Sequence, residues 1–130
     1  MNHGFKSMRN IGVSMLNFYR AEVIRILDGD TLEAEIDLGF KIKITTMIRL
    51  QDVYAPEVRT TDYDEKLSGI KIKNLLEDMI ANNGNIIFVR TYKTGSFKRW
   101  IGKCYLDANM QESINEAVNE WVLVEENKKP

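Results

Sequence analysis

Ile48-Arg49-Leu50-Gln51-Asp52-Val53-Tyr54-Ala55-Pro56-Glu57-Val58-Arg59 is the stretch whose reading decides the fold of this chain. It opens as the end of a strand and breaks at Pro56, which has no N–H to offer a sheet ladder. Upstream the alternation is regular. Phe40, Ile42, Ile44, Thr46, Ile48 and Leu50 share one face of a period-2 strand, and Lys41, Lys43, Thr45, Met47 and Arg49 take the other. Arg49 is thus expected to point away from the core while its neighbours are buried. A guanidinium fixed on a strand, followed by a loop carboxylate at Glu57, suits phosphate chemistry. Taken alone, the same residues also describe an edge strand carrying a surface ion pair.

Working towards the N-terminus, Asp37-Leu38-Gly39 reads as the turn before this strand. Thr31–Ile36 reads as a second strand, with Leu32, Ala34 and Ile36 inward. Asp28-Gly29-Asp30 gives a tight turn, since Asp-Gly is a strong hairpin signal, and Phe18–Leu27 is a first strand. Residues 1–17 are Asn-, Ser- and Gly-rich without a continuous apolar face, and are expected to form an extension that is poorly ordered or packed on the domain. Towards the C-terminus, a loop over Val58–Asp64 leads into a helix over Glu65–Ala81. Ile72, Leu75, Leu76, Met79 and Ile80 carry its helical spacing, Gly69 weakens its start, and Asn82-Asn83-Gly84 stops it. Ile86–Tyr92 and Trp100–Leu106 are a fourth and fifth strand, joined by the short basic link Lys93–Arg99. Ser113-Ile114-Asn115-Glu116 is a capping box, and Ile114, Ala117, Val118, Trp121 and Val122 give a buried helical stripe. Residues 125–130 form a charged tail. The fold expected is α+β, mainly β: a five-stranded OB-fold barrel over residues 18–124, with a helix between strands 3 and 4 and a C-terminal helix.

Composition removes several function classes. At 130 residues and 44% hydrophobic content the chain builds one domain with one core. A net charge of -1 argues against a uniformly basic nucleic-acid coat protein, but not against a local basic cleft. The single cysteine, Cys104, allows neither an internal disulfide nor a thiolate cluster, and a lone His3 leaves no histidine-based catalysis or zinc site. No apolar run reaches membrane-spanning length, so the expectation is a cytoplasmic protein, monomeric, with no protein partner implied.

Three clusters carry the chemistry: Asp28-Gly29-Asp30-Thr31, the Arg49–Glu57 stretch, and Phe97-Lys98-Arg99-Trp100. An EF-hand does not fit the first, because Glu33 and Gly39 stand where that loop requires glycine and glutamate. Their order and spacing resemble the staphylococcal nuclease (thermonuclease) family over about Tyr19 to Leu123. The anchors are Val23-Ile24-Arg25-Ile26-Leu27-Asp28-Gly29-Asp30-Thr31, Arg49-Leu50, Ala55-Pro56-Glu57, Arg99 and Ile114-Asn115-Glu116-Ala117.

The resemblance implies a calcium-dependent phosphodiesterase that cuts single-stranded DNA, RNA and opened duplexes. It implies Asp30 and the Ala55 carbonyl as Ca²⁺ ligands, with Asp28 behind them. It implies Glu57 as general base and Arg49 and Arg99 as phosphate clamps. Tyr54 stands where the family has a second acidic ligand, so weakened calcium binding is expected, with Asp52 the nearest substitute. Phe97 replaces a phosphate-contacting tyrosine and Lys98 a small residue. The rival expectation is a non-catalytic OB-fold binding single-stranded nucleic acid. There Tyr54, Phe97 and Trp100 would be stacking platforms beside Arg49, Arg59, Lys98 and Arg99. Glu57 separates the two readings, since an acid beside a phosphate serves hydrolysis and weakens simple binding.

Overall fold

The structure, a computed structural model, describes residues 17–94 and 99–129. Strand β1 (Phe18–Asp28) and strand β2 (Thr31–Gly39) form an antiparallel hairpin closed by Gly29 and Asp30, with Asp28 opposite Thr31. The glycine serves close packing here, not a left-handed turn. A Cβ at Gly29 would lie 2.6 Å from Cγ2 of Ile72 and 2.9 Å from Cβ of Ala55. Leu32, Ala34 and Ile36 are fully buried, as their alternation requires.

Strand β3 (Ile42–Leu50) pairs with β2 across a two-residue loop, Phe40-Lys41. The turn therefore falls later than Asp37-Leu38-Gly39. Leu38 is the extra residue of a bulge, and Phe40 moves from the expected inward strand face to the hairpin tip, where it is 98% exposed. Ile42 is likewise exposed, and burial along β3 begins in earnest only at Ile48 and Leu50. Both loop residues adopt the left-handed region, Phe40 at φ 54 and Lys41 at φ 63. Such two-residue hairpins favour Asn-Gly, and a bulky residue there is strained. Replacing the pair by Asn and Gly should raise unfolding stability by about 1 kcal/mol, read from urea midpoints, because each left-handed non-glycine residue costs roughly that much.

Helix α1 (Tyr63–Ala81) starts on Asp62, whose carboxylate accepts the Glu65 N–H at 3.2 Å. Its buried line is Gly69, Ile72, Leu76 and Ile80; Leu75, expected in the apolar stripe, lies on the solvent edge. Strands β4 (Ile86–Thr94) and β5 (Arg99–Tyr105) then return antiparallel. β4 closes on β1, β5 runs parallel to β3, and the strand order β1-β2-β3-β5-β4 makes a closed barrel consistent with an OB-fold-like architecture.

Helix α2 (Ile114–Asn127) begins at Ser113, whose hydroxyl accepts the Glu116 N–H at 3.1 Å. It runs into the expected charged tail: Glu125 is helical, and its carboxylate meets Lys71 Nζ at 2.9 Å and Lys128 Nζ at 3.3 Å. That contact with α1 gives the last turn a packing partner. The expected N-terminal extension falls on residues 1–16, outside the described residues, while Asn17 already accepts a backbone hydrogen bond from Thr91. No helix among the described residues is long and apolar enough to cross a membrane.

Cys104 is fully buried in the barrel, and loss of solvation pushes its thiol up to about 12. Thiolate is the reactive form. The folded chain should therefore resist a thiol-specific reagent at pH 8 and react fully once unfolded in guanidinium. Rapid reaction of the native chain would mean that the barrel opens locally at β5.

Candidate functional site

Parallel pairing of β3 with β5 sets Met47 beside Arg99 and Arg49 beside Ile101. Ile48 and Leu50 point into the core, so by alternation Met47, Arg49, Arg99 and Ile101 share the outer face of the seam. The two arginines come from positions 50 residues apart, yet line one shallow cavity of about 360 Å³ with Gln51, Asp52, Tyr54 and Ile101.

Their electrostatic situations differ. Arg49 is anchored: its Nη1 lies 3.4 Å from Asp30 Oδ2 and donates to the carbonyls of Asp30 (3.3 Å) and Leu50 (3.2 Å). Its guanidinium carbon also sits 5.5 Å from the centre of the Tyr54 ring. Arg99 has no such anchor. Its Nε is buried without a hydrogen-bond partner, and no acid among the described residues pairs with it. A buried donor left open is costly unless a ligand completes it.

Asp30 and Asp28 act as braces. Asp30 accepts from the Thr31 hydroxyl at 3.0 Å and the Ala55 N–H at 3.1 Å; Asp28 accepts the Val58 N–H at 3.2 Å. The two carboxylates of one turn thus hold the Ala55–Val58 loop at both ends. Helix α1 supports the loop from below. Glu65 accepts the Glu57 N–H at 3.2 Å, and Gly69 lets the helix approach so closely that a Cβ there would sit 2.7 Å from the Glu57 carbonyl oxygen. The Glu57 carboxylate itself is exposed and is paired with no described residue.

The implied calcium ligands do not assemble into a calcium site. Calcium takes roughly six to eight oxygens, several of them charged. Asp30 offers one carboxylate, both of whose oxygens already accept hydrogen bonds, and the cation beside it is Arg49. Tyr54 contributes an aromatic ring that is 76% exposed, and Asp52 lies on the outer turn at φ 58. Among the described residues no group of three His, Cys, Asp or Glu could hold a metal ion.

Trp100 is a second correction. It alternates to the core side of β5, half-buried with its ring 5.5 Å from that of Tyr19, and is no stacking platform. Arg59 lies away from the arginine pair, in a separate cavity with Arg25 and Lys73. Phe97 and Lys98 lie outside the described residues. A larger cavity of about 550 Å³, between the start of α1 and the end of α2, is lined by Asp62, Asp64, Glu65 and Glu125 among others. Lys128 and Lys129 line it too, but four acids against two lysines disfavour a phosphate there.

One positioning residue escaped notice as such. The buried Asn115 side chain accepts the Cys104 N–H at 2.9 Å and donates to the carbonyls of Gln51 (3.0 Å) and Gly102 (3.2 Å), clasping the ends of both arginine-bearing strands. A polar residue on the apolar line Ile114, Val118, Val122 was the available signal. A scan against protein-family models and a search of curated proteins find no match to the chain.

Proposed function

We propose that this chain is a nuclease that hydrolyses phosphodiester bonds of nucleic acid, single strands preferred. The observation that carries the reading is the partly buried Arg99, whose Nε has no hydrogen-bond partner among the described residues, sharing one cavity with the anchored Arg49. Two guanidiniums on one rigid seam match a phosphodiester's two non-bridging oxygens, and arginine's planar fork binds them in fixed orientation. A preset pair of cations stabilises most where charge is greatest, in the pentacoordinate transition state.

Glu57 supplies the base. It takes the proton of a water whose oxygen attacks phosphorus, the bond from phosphorus to the leaving sugar oxygen breaks, and solvent protonates that oxygen. Its loop is held by Asp28, Asp30, Glu65 and Gly69, which limits the motion of the carboxylate's attachment point. The resemblance to staphylococcal nucleases supports the same roles. A calcium cage does not enter this reading, since the donor set does not form one.

A second reading, a non-catalytic module for single strands, is favoured by Tyr54. Its exposed ring beside Arg49 is the stacking surface that such modules use. Incubating a labelled single-stranded DNA with the chain in Ca²⁺, Mg²⁺, Mn²⁺ or chelator decides between them. Cleavage products that vanish with Glu57→Gln support the nuclease. Tight binding with no product in any arm overturns it in favour of the module.

A further inference from the structure

At the Val58 end of the braced loop lies a further cavity of about 200 Å³, lined by Arg25, Ile26, Leu27, Asp28, Val58, Arg59 and Lys73. Three cations face one carboxylate there, and that carboxylate already accepts the Val58 N–H. Arg25 donates its Nε to Glu33 at 3.0 Å, and its terminal amino groups have no described partner. Arg59 and Lys73 form no ion pair with any described residue. A chain of net charge -1 thus gathers three basic side chains, from β1, from the loop and from α1, around one small hollow.

The cavity and the arginine seam are connected through one turn. Asp28 lines the cavity while Asp30, two residues on, anchors Arg49; Arg59 follows Glu57 by two residues, at most about 7 Å of backbone. We propose that this cavity is a second phosphate subsite, which takes the backbone phosphate of a nucleic-acid strand next to the one held by Arg49 and Arg99. Size favours a polymer link over a free nucleotide. Whole-ligand pockets run from about 300 Å³ upwards, so this hollow suits a phosphate with its sugar. Ile26, Leu27 and Val58 offer the apolar wall against which a sugar packs.

The subsite deepens the nuclease reading, which it takes as its frame, but its test needs no catalysis. Binding of fluorescent oligothymidylates of two and eight nucleotides is followed by anisotropy over a salt series, with Arg59→Ala/Lys73→Ala and, separately, Lys73→Glu. Arg59 is exposed and Lys73 half-buried, and circular dichroism checks the fold. Each phosphate contact to a single strand contributes about 0.7 to the slope of log affinity against log salt. Losing two contacts should weaken the octanucleotide about tenfold and cut its slope by about 1.4, with a smaller loss for the dinucleotide. Equal losses at both lengths, or an unchanged slope in both variants, overturn the subsite. Variants that lose affinity and slope in this length-dependent way, made in a chain that does not cut the octamer, overturn the nuclease and uphold the subsite.

Discussion

Replacing Arg99 by alanine should lower turnover of a single-stranded DNA by about 100-fold or more, the usual loss when one preorganised donor to a transition-state oxyanion is removed. The melting midpoint should hardly move. Arg99 makes no ion pair with a described residue, and its Nε is an open donor, so truncation breaks no described polar contact. Removing an unsatisfied buried donor also relieves a desolvation cost, which opposes the loss of packing by its stem. Arg49→Ala makes a useful contrast. That guanidinium holds Asp30 and two carbonyls, so its loss should reduce both activity and stability. Arg99→Lys keeps the charge and loses the fork, and should recover only part of the rate. Wild-type turnover in Arg99→Ala would remove this residue from the chemistry.

Gly69→Ala should destabilise the chain by about 1–3 kcal/mol, the range for overpacking a tight contact. The direction is the unusual part. In an ordinary helix interior the same change stabilises by about 0.5–1 kcal/mol, because glycine loses more backbone freedom on folding. Here the new methyl would meet the Pro56 and Glu57 carbonyl oxygens at 2.8 and 2.7 Å. These are backbone atoms of a loop held by Asp28, Asp30 and Glu65, which cannot swing aside as a side-chain end can. Clash exceeds propensity, and relief displaces Glu57. Denaturant midpoints and single-strand cleavage rates, measured together, should both fall. A more stable Gly69→Ala with full activity would show that the loop yields freely.

The barrel was legible because its strands carry strong period-2 signals: Leu32, Ala34 and Ile36 on one strand, Ile48 and Leu50 on another, are all fully buried. The hairpin at Phe40 was not, since nothing in Gly39-Phe40-Lys41 announces two left-handed residues and a bulge at Leu38. Turn chemistry normally lies in Asn and Gly, and here a phenylalanine takes the role. Trp100 was misplaced for a different reason. A residue beside Arg99 shares its neighbourhood in sequence but not its face of the sheet, and the strand boundary decides which way each points. The seam position of Arg49 and Arg99 depended on the parallel pairing of β3 with β5, a contact that no local pattern encodes. The cation cluster of Arg25, Arg59 and Lys73 was hidden likewise, being drawn from three separate elements.

That parallel seam ties occupancy of the cleft to the opening of the barrel. β1, β2 and β3 form consecutive hairpins with local contacts, whereas β3 and β5 are separated in sequence by α1 and β4, the kind of long-range contact that forms slowly. A fluctuation that parts β3 from β5 separates the two guanidiniums while the early hairpins stay intact. An anion that bridged both would select the closed seam and lower the open population by a factor of one plus the ratio of free anion to Kd. Amide exchange of Leu50 and Gln51, whose N–H groups donate to Asp30 and Gly102, would report it from opposite sides: the Gln51 amide, bonded across the seam, gains protection with ligand, and the Leu50 amide, bonded within the hairpin, does not.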